Sequence, residues 1–97
     1  MKGVWLENKS VSIKDNIPNP SLQPDEALVE VYLSGICGTD LQLIEGYYPF
    51  HNILGHEFVG VVIQCPNRSD LVGKRVVAEI NITCCKYETH GFSRFCI

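Results

Sequence analysis

The residues best suited to chemistry in this 97-residue chain gather in two short segments. One is Gly35-Ile36-Cys37-Gly38-Thr39-Asp40, the other Leu54-Gly55-His56-Glu57-Phe58-Val59-Gly60. A cysteine thiolate and a histidine nitrogen are preferred zinc ligands, and Cys37 and His56 offer one of each. Each lies at the junction of an apolar run with a glycine-containing turn, where a small residue lets the backbone bend a side chain inward. Asp40 and Glu57 place carboxylates nearby, and a ligating histidine ordinarily needs an acceptor for its other ring nitrogen. Taken singly, a Cys-Gly or a His-Glu is more often structural than metal-binding. Both together, in this order and with these glycines, point to a metal centre.

The elements that must hold these residues read as short strands. Residues 2–6 and 10–13 are β-rich and break at Glu7-Asn8-Lys9, which predicts a hairpin. Pro18, Pro20 and Pro24, with Asn16 and Asn19, form a loop that cannot carry regular hydrogen bonding. In residues 26–33, Leu28, Glu30 and Tyr32 alternate with Val29, Val31 and Leu33, so a strand runs directly into the Cys37 segment. Thr39 or Asp40 is expected to cap a short helix over 41–44 that stops at Gly46. Tyr47-Tyr48-Pro49-Phe50 is an aromatic loop expected to cover a small core. Residues 58–63 and 75–78 read as two further strands joined through the polar turn Pro66-Asn67-Arg68-Ser69-Asp70. Cys65 reads as a small core residue, and from Asn81 onward the pattern dissolves into a cysteine-rich tail. Several short strands with one helix predict a mainly β chain, a small β-barrel.

Bulk properties narrow the setting. A chain of 97 residues is one domain at most, and 45% hydrophobic with 20% charged residues is ordinary for a soluble globular one. A net charge of -3 gives no electrostatic reason to expect nucleic acid or an anionic membrane as a partner. No apolar run approaches the roughly 20 residues of a membrane span. The N-terminus turns acidic at Glu7, too early for a signal peptide, so a cytoplasmic location is expected. Five cysteines form an odd set without a secretory signal, which favours reduced thiols available to a metal over a disulfide framework. No Gly-x-Gly-x-x-Gly occurs, so no dinucleotide-binding turn is encoded in these residues.

Gly35 to Asp40, followed by Ile53-Leu54-Gly55-His56-Glu57-Phe58 with Gly60 and Val62, and then Val72-Gly73-Lys74-Arg75-Val76-Val77, resembles the medium-chain dehydrogenase/reductase family. More narrowly, it is similar to the zinc-dependent alcohol and polyol dehydrogenases. The resemblance runs from residue 2 to 77 and implies a GroES-like β-barrel with one short helix, incomplete at the C-terminus. By position, Cys37 matches the family's first catalytic-zinc ligand and His56 its second. Thr39 matches the hydroxyl residue of the proton relay, and Asp40 resembles the carboxylate that hydrogen-bonds the ligating histidine. Glu57 matches a carboxylate beside the metal that enters the coordination sphere in some members. The implied activity is NAD(P)-dependent oxidation of a small-molecule alcohol or polyol. Zinc would lower the pKa of the substrate hydroxyl, Thr39 would carry the proton toward solvent, and hydride would pass to the nicotinamide.

The chain departs from the family at its end. In the family the third zinc ligand and the dinucleotide domain lie further along than Ile97, so NAD(P) is expected only in a full-length form. Residues 1–80 are the barrel portion, and 81–97 resemble the four-cysteine structural-zinc lobe in degenerate form. That lobe has the spacing C-x2-C-x2-C-x7-C. Counting back from Cys96 puts Glu88, Cys85 and Ile82 at the expected positions, and counting forward from Cys84 gives Tyr87 and His90. A second metal site of Cys85, His90, Cys96 and either Glu88 or Cys84 is conceivable, but a metal-free tail fits the need for four good ligands better. The alternative to an enzyme portion is a non-catalytic, zinc-binding GroES-like remnant. A purely structural, co-chaperonin-like role would need neither Cys37 nor Gly55-His56-Glu57. Apolar strand surface at Phe58, Val59, Val61, Ile63, Val76 and Val77 is expected to be exposed and to promote self-association.

Overall fold

A tight turn between two short strands opens the chain. In the computed structural model, which describes residues 1–77 and the backbone of 94–96, β1 (Gly3–Glu7) and β2 (Ser10–Lys14) pair antiparallel with Glu7 opposite Ser10. Asn8 and Lys9 join them at φ 49° and 60°. Two successive left-handed residues make a type I′ turn, whose twist matches that of the strands it connects. The other elements are β3 (Glu26–Ser34), α1 (Gly38–Glu45), β4 (Asn52–Ile53), β5 (Phe58–Gln64), β6 (Arg75–Val77) and β7 (Arg94–Cys96).

Among the described residues every strand pairing is antiparallel, in two sheets ordered β2-β1-β4 and β6-β5-β3-β7. The chain is mainly β, as expected. Among the described residues the sheets remain open rather than closing into one barrel. The short β4 explains the gap, since it offers β1 only the pairs Trp5/Ile53 and Leu6/Asn52 and has no partner in the second sheet. Ala27 and Val29 of β3, Val62 of β5 and Cys65 form the buried core, with Phe58, Leu71 and Val76 packed against it. Leu6 and Ile53 are buried in the other sheet. Of the strand residues expected to be exposed, Ile63 and Val77 are, while Phe58, Val59, Val61 and Val76 are half-buried. No helix among the described residues is long and apolar enough to cross a membrane.

Two local features correct the sequence reading, and a third adds detail to it. First, the cysteine-rich tail is not without pattern, because Arg94–Cys96 forms β7 on the edge of β3, with Glu26 opposite Cys96. Three residues are too few for a periodic signal, and it is the free edge of β3 that recruits them. Cys85, Glu88 and His90 lie outside the described residues. Second, Tyr47 and Tyr48 do not cover the core and are 79% and 61% exposed. The chain leaves α1 through a sharp cap that directs this loop outward. Third, the polar turn after β5 contains a single 3-10 turn, Ser69–Leu71. Beside it, Arg68 donates from Nε and Nη2 to the two oxygens of Asp70 at 2.8 Å each. These hydrogen bonds hold the exposed Asp70 carboxyl below its usual range.

The cap that turns Tyr47 outward depends on Gly46, which is left-handed at φ 92°. The Gly46 N–H donates to the Leu43 carbonyl at 3.1 Å and the Tyr47 N–H to the Gln42 carbonyl at 3.0 Å, the two bonds of a Schellman motif. A Cβ on residue 46 would also lie 2.4 Å from Lys9 Cε. Gly46→Ala should therefore cost about 1–2 kcal/mol. A lowered urea midpoint at unchanged m-value is the expected reading.

Candidate metal centre

β3 and β5 carry the two chemical segments to one end of their shared ladder. Ser34, the last residue of β3, is opposite Phe58, the first of β5. Just beyond, the Gly35 N–H donates to the Glu57 carbonyl at 2.7 Å, and Ser34 Oγ donates to the same oxygen at 3.2 Å. The chain leaving β3 is thus tied to the chain entering β5, with Cys37 and His56 facing each other across the tie. Gly55 has φ 116°, a conformation that L side chains rarely adopt, and a Cβ there would meet Ser34 Oγ at 3.2 Å. The glycine before His56 therefore has a backbone reason.

Cys37 is fixed by the helix it starts. It is the N-cap of α1, where its Sγ accepts the Thr39 N–H at 3.3 Å and Asp40 Oδ2 accepts the Cys37 N–H at 2.9 Å. This is a capping box, with sulfur in the place usually taken by a serine or threonine oxygen. The cap expected at Thr39 or Asp40 thus lies at Cys37, because Asp40 is the third helical residue and reaches back to the cap. One arrangement fixes both the sulfur and the carboxylate.

His56 completes the group. Its Nε2 lies 3.0 Å from Cys37 Sγ and its Nδ1 lies 3.4 Å from Asp40 Oδ1. Asp40 is 4% exposed, and its Oδ1 has no hydrogen-bond partner. An Nδ1–H directed at that buried oxygen, 3.4 Å away, would leave the Nε2 lone pair facing the sulfur. The Cys37 S–H or the ring N–H supplies the proton of this 3.0 Å contact, and on loss of that proton two lone pairs face each other. Such a contact is stable only with a proton or a cation between them. Zinc bonds of about 2.3 Å to sulfur and 2.0–2.1 Å to nitrogen set a tetrahedral S···N separation near 3.5 Å, so about half an ångström of opening admits the ion.

Among the described residues Cys37, Asp40 and His56 form a cluster of metal-ligating groups whose donor atoms lie within 4.8 Å of one another. Glu57 Oε1 is 3.9 Å from His56 Nε2, on the same ring nitrogen as the sulfur. Thr39 is exposed on the first turn of α1. Beside Gly55, an apolar cavity of about 230 Å³ is lined by Leu43, Tyr48, Phe50, Ile53 and Leu54. Sequence reasoning passes over Ser34, whose partner lies 23 positions away, a distance at which no local pattern signals a contact.

Residues 23–96 match the model of the alcohol dehydrogenase GroES-like domain. The chain belongs to this family. It is 36% identical over 83 residues to D-arabinitol dehydrogenase 1 of Uromyces fabae, a match covering 79% of this chain and 24% of that protein. The alcohol dehydrogenase TADH from Thermus sp. ATN1 superposes with a TM-score of 0.73 at 44% identity, over 80% of this chain and 24% of that one. A glucose dehydrogenase of Haloferax mediterranei, solved with NADP, Zn and gluconolactone, superposes with a TM-score of 0.68 at 33% identity, over 80% and 24% of the two chains. The chain spans about a quarter of the length of the curated relatives it matches. The matched stretch of this GroES-like domain contains β3, α1 and β5, the three elements that build the centre, whereas the β1/β2 hairpin precedes it.

Proposed function

We propose that Cys37 and His56 supply two protein ligands to a catalytic zinc, with Glu57 beside the metal. The chain is then the zinc-binding catalytic-domain portion of an alcohol dehydrogenase-like oxidoreductase acting on an alcohol or polyol. The observation that carries this reading is the 3.0 Å approach of Cys37 Sγ to His56 Nε2, with Asp40 on the opposite ring nitrogen. Relatives named for D-arabinitol and glucose support a hydroxyl-bearing small molecule as the substrate class. NAD(P) would be held by further polypeptide in a full-length form, since these residues contain no Gly-x-Gly-x-x-Gly.

Zinc, when bound, supplies the charge that lowers the pKa of a substrate hydroxyl. The protein's own part is orientation and proton handling. Asp40 fixes the His56 tautomer and ring plane, and the Thr39 N–H holds the Cys37 sulfur. Thr39, on the exposed first turn, passes the released proton toward solvent. Leu43, Tyr48, Phe50, Ile53 and Leu54 wall the neighbouring cavity with apolar surface that keeps competing water away.

Three tests arise here. Cobalt(II) bound in place of zinc should show a thiolate-to-metal charge-transfer absorption that is lost in Cys37→Ser; a band of equal strength in the variant would place the metal elsewhere. Asp40→Asn removes the charge behind His56 and should weaken zinc binding about 10–100-fold, measured by competition with a chromogenic chelator. The 97-residue chain by itself should show no NAD(P)-linked alcohol oxidation, and turnover by a contaminant-free preparation would contradict this account.

A further inference from the structure

The β1/β2 hairpin leaves an entire strand edge without a partner among the described residues. β2 lies outermost in its sheet, and all of it except Lys14 is exposed. The phase of the ladder decides what that edge offers. The Leu54 N–H donates to the Val4 carbonyl at 2.8 Å, so the backbone groups of Val4 face β4 and turn away from β2. Val4 is opposite Ile13, and Leu6 is opposite Val11. Hydrogen-bonded and non-hydrogen-bonded pairs alternate along an antiparallel ladder, so both of these are non-hydrogen-bonded pairs. The two-residue turn fixes the same phase, because it closes on a hydrogen-bonded Glu7/Ser10 pair. The N–H and C=O groups of Val11 and Ile13 therefore point outward from the sheet. Their side chains share one face and are 45% and 65% exposed.

We propose that β2 is a self-complementary docking edge that pairs antiparallel with β2 of a second copy, about a two-fold axis through Ser12. In this register Val11 of one copy meets Ile13 of the other, twice over, and each of those pairs exchanges both of its outward hydrogen bonds. Ser12 meets Ser12 on the axis, and Ser10 meets Lys14. Beyond the strand ends, Lys9 of the turn and Asp15, which pairs with Lys2 at 3.6 Å, are opposite in sign, so this register brings no like charges directly opposite each other. Two β2-β1-β4 sheets thereby become one continuous sheet. A second copy is the occupant that fits, because the register is symmetric and satisfies the same groups on both sides. Residues 10–14 contain no proline and no bulge, and Lys14 at the end of β2 is the one charged residue on this edge. The hairpin lies outside residues 23–96 and supplies no side chain to the Cys37–Asp40–His56 group, so loss of edge pairing and loss of zinc binding are separate readouts.

The test follows the oligomeric state of the full chain by sedimentation over a concentration series. The wild type should show a monomer–dimer equilibrium. Ile13→Pro removes one outward N–H per copy without touching the hairpin's own ladder, a change that edge strands tolerate. It should weaken the dimer at least about tenfold while the circular dichroism spectrum stays the same. Ser12→Cys should oxidise to a dimer joined residue 12 to residue 12, identified by peptide mass spectrometry. Ser10→Cys should give no such link, because its copies lie on opposite sides of the axis. A wild type that stays monomeric, a folded Ile13→Pro dimer of unchanged strength, or a 10–10 link as abundant as the 12–12 link would overturn the proposal. The cross-link result decides the matter if Ile13→Pro fails to fold.

Discussion

Zinc at a hundredfold excess over its dissociation constant should stabilise the wild-type chain by about 2.7 kcal/mol, and His56→Ala should abolish that stabilisation. For a chain of 97 residues this corresponds to a rise in melting temperature on the order of 10 °C, reversed by chelator. The reason is linkage: an ion held by Cys37 Sγ and His56 Nε2 binds the folded chain, in which these atoms are 3.0 Å apart, and not a chain in which they are separated. His56→Ala removes one donor and also leaves the buried Asp40 carboxylate without the imidazole beside it. The variant should therefore melt lower even without metal, by about 1–3 kcal/mol. Melts in zinc and in chelator on both proteins separate the two effects. Equal melting temperatures with and without zinc in the wild type would show that the pair does not hold the ion.

Gly60→Ala should be the most damaging single-methyl change in the β3/β5 ladder. A Cβ on residue 60 would sit 2.4 Å from the Glu30 carbonyl oxygen and 2.5 Å from Val29 Cγ1. The nearer neighbour is backbone, so no side-chain rotation relieves it, and β5 must shift away from β3. The expected cost is about 3 kcal/mol, at the upper end for overpacking. A shifted β5 also loosens the hydrogen bonds from Ser34 and Gly35 to Glu57 that hold the metal centre together. Zinc affinity should fall along with stability, although the substitution lies four residues from His56 and adds no group to the centre. Urea denaturation and zinc competition on the same preparation measure both. A Gly60→Ala chain as stable as wild type would mean that the strands are not packed as described.

The parts of this chain that were legible in the sequence are those whose cause is local. The Asn8-Lys9 turn, the alternation that marks β3, the apolar run of β5 and the stop at Gly46 each follow from residue type and short-range geometry. The approach of Cys37 to His56 was legible because cysteine, histidine and their glycines occur in an uncommon combination. What escaped is set by contacts distant in sequence. β4 is two residues long and exists because β1 offers an edge, and β7 exists because β3 does. The Cys37 cap was misplaced because cysteine is seldom read as a capping residue, although its sulfur accepts a backbone N–H as a serine oxygen does. Aromatic loop residues such as Tyr47 and Tyr48 suggest core cover, but the direction in which the chain leaves α1 decides their exposure.

The most direct test of the central claim is a difference in zinc content, because the cysteine-rich stretch 84–96 supplies further thiols that a total would not separate. Native mass spectrometry of the wild-type chain, Cys37→Ser and His56→Ala, each loaded with zinc and desalted in parallel, gives the number of ions retained by each. Both variants should retain one zinc fewer than the wild type while keeping its charge-state distribution. Equal zinc content in the three proteins, with the fold preserved, would contradict it.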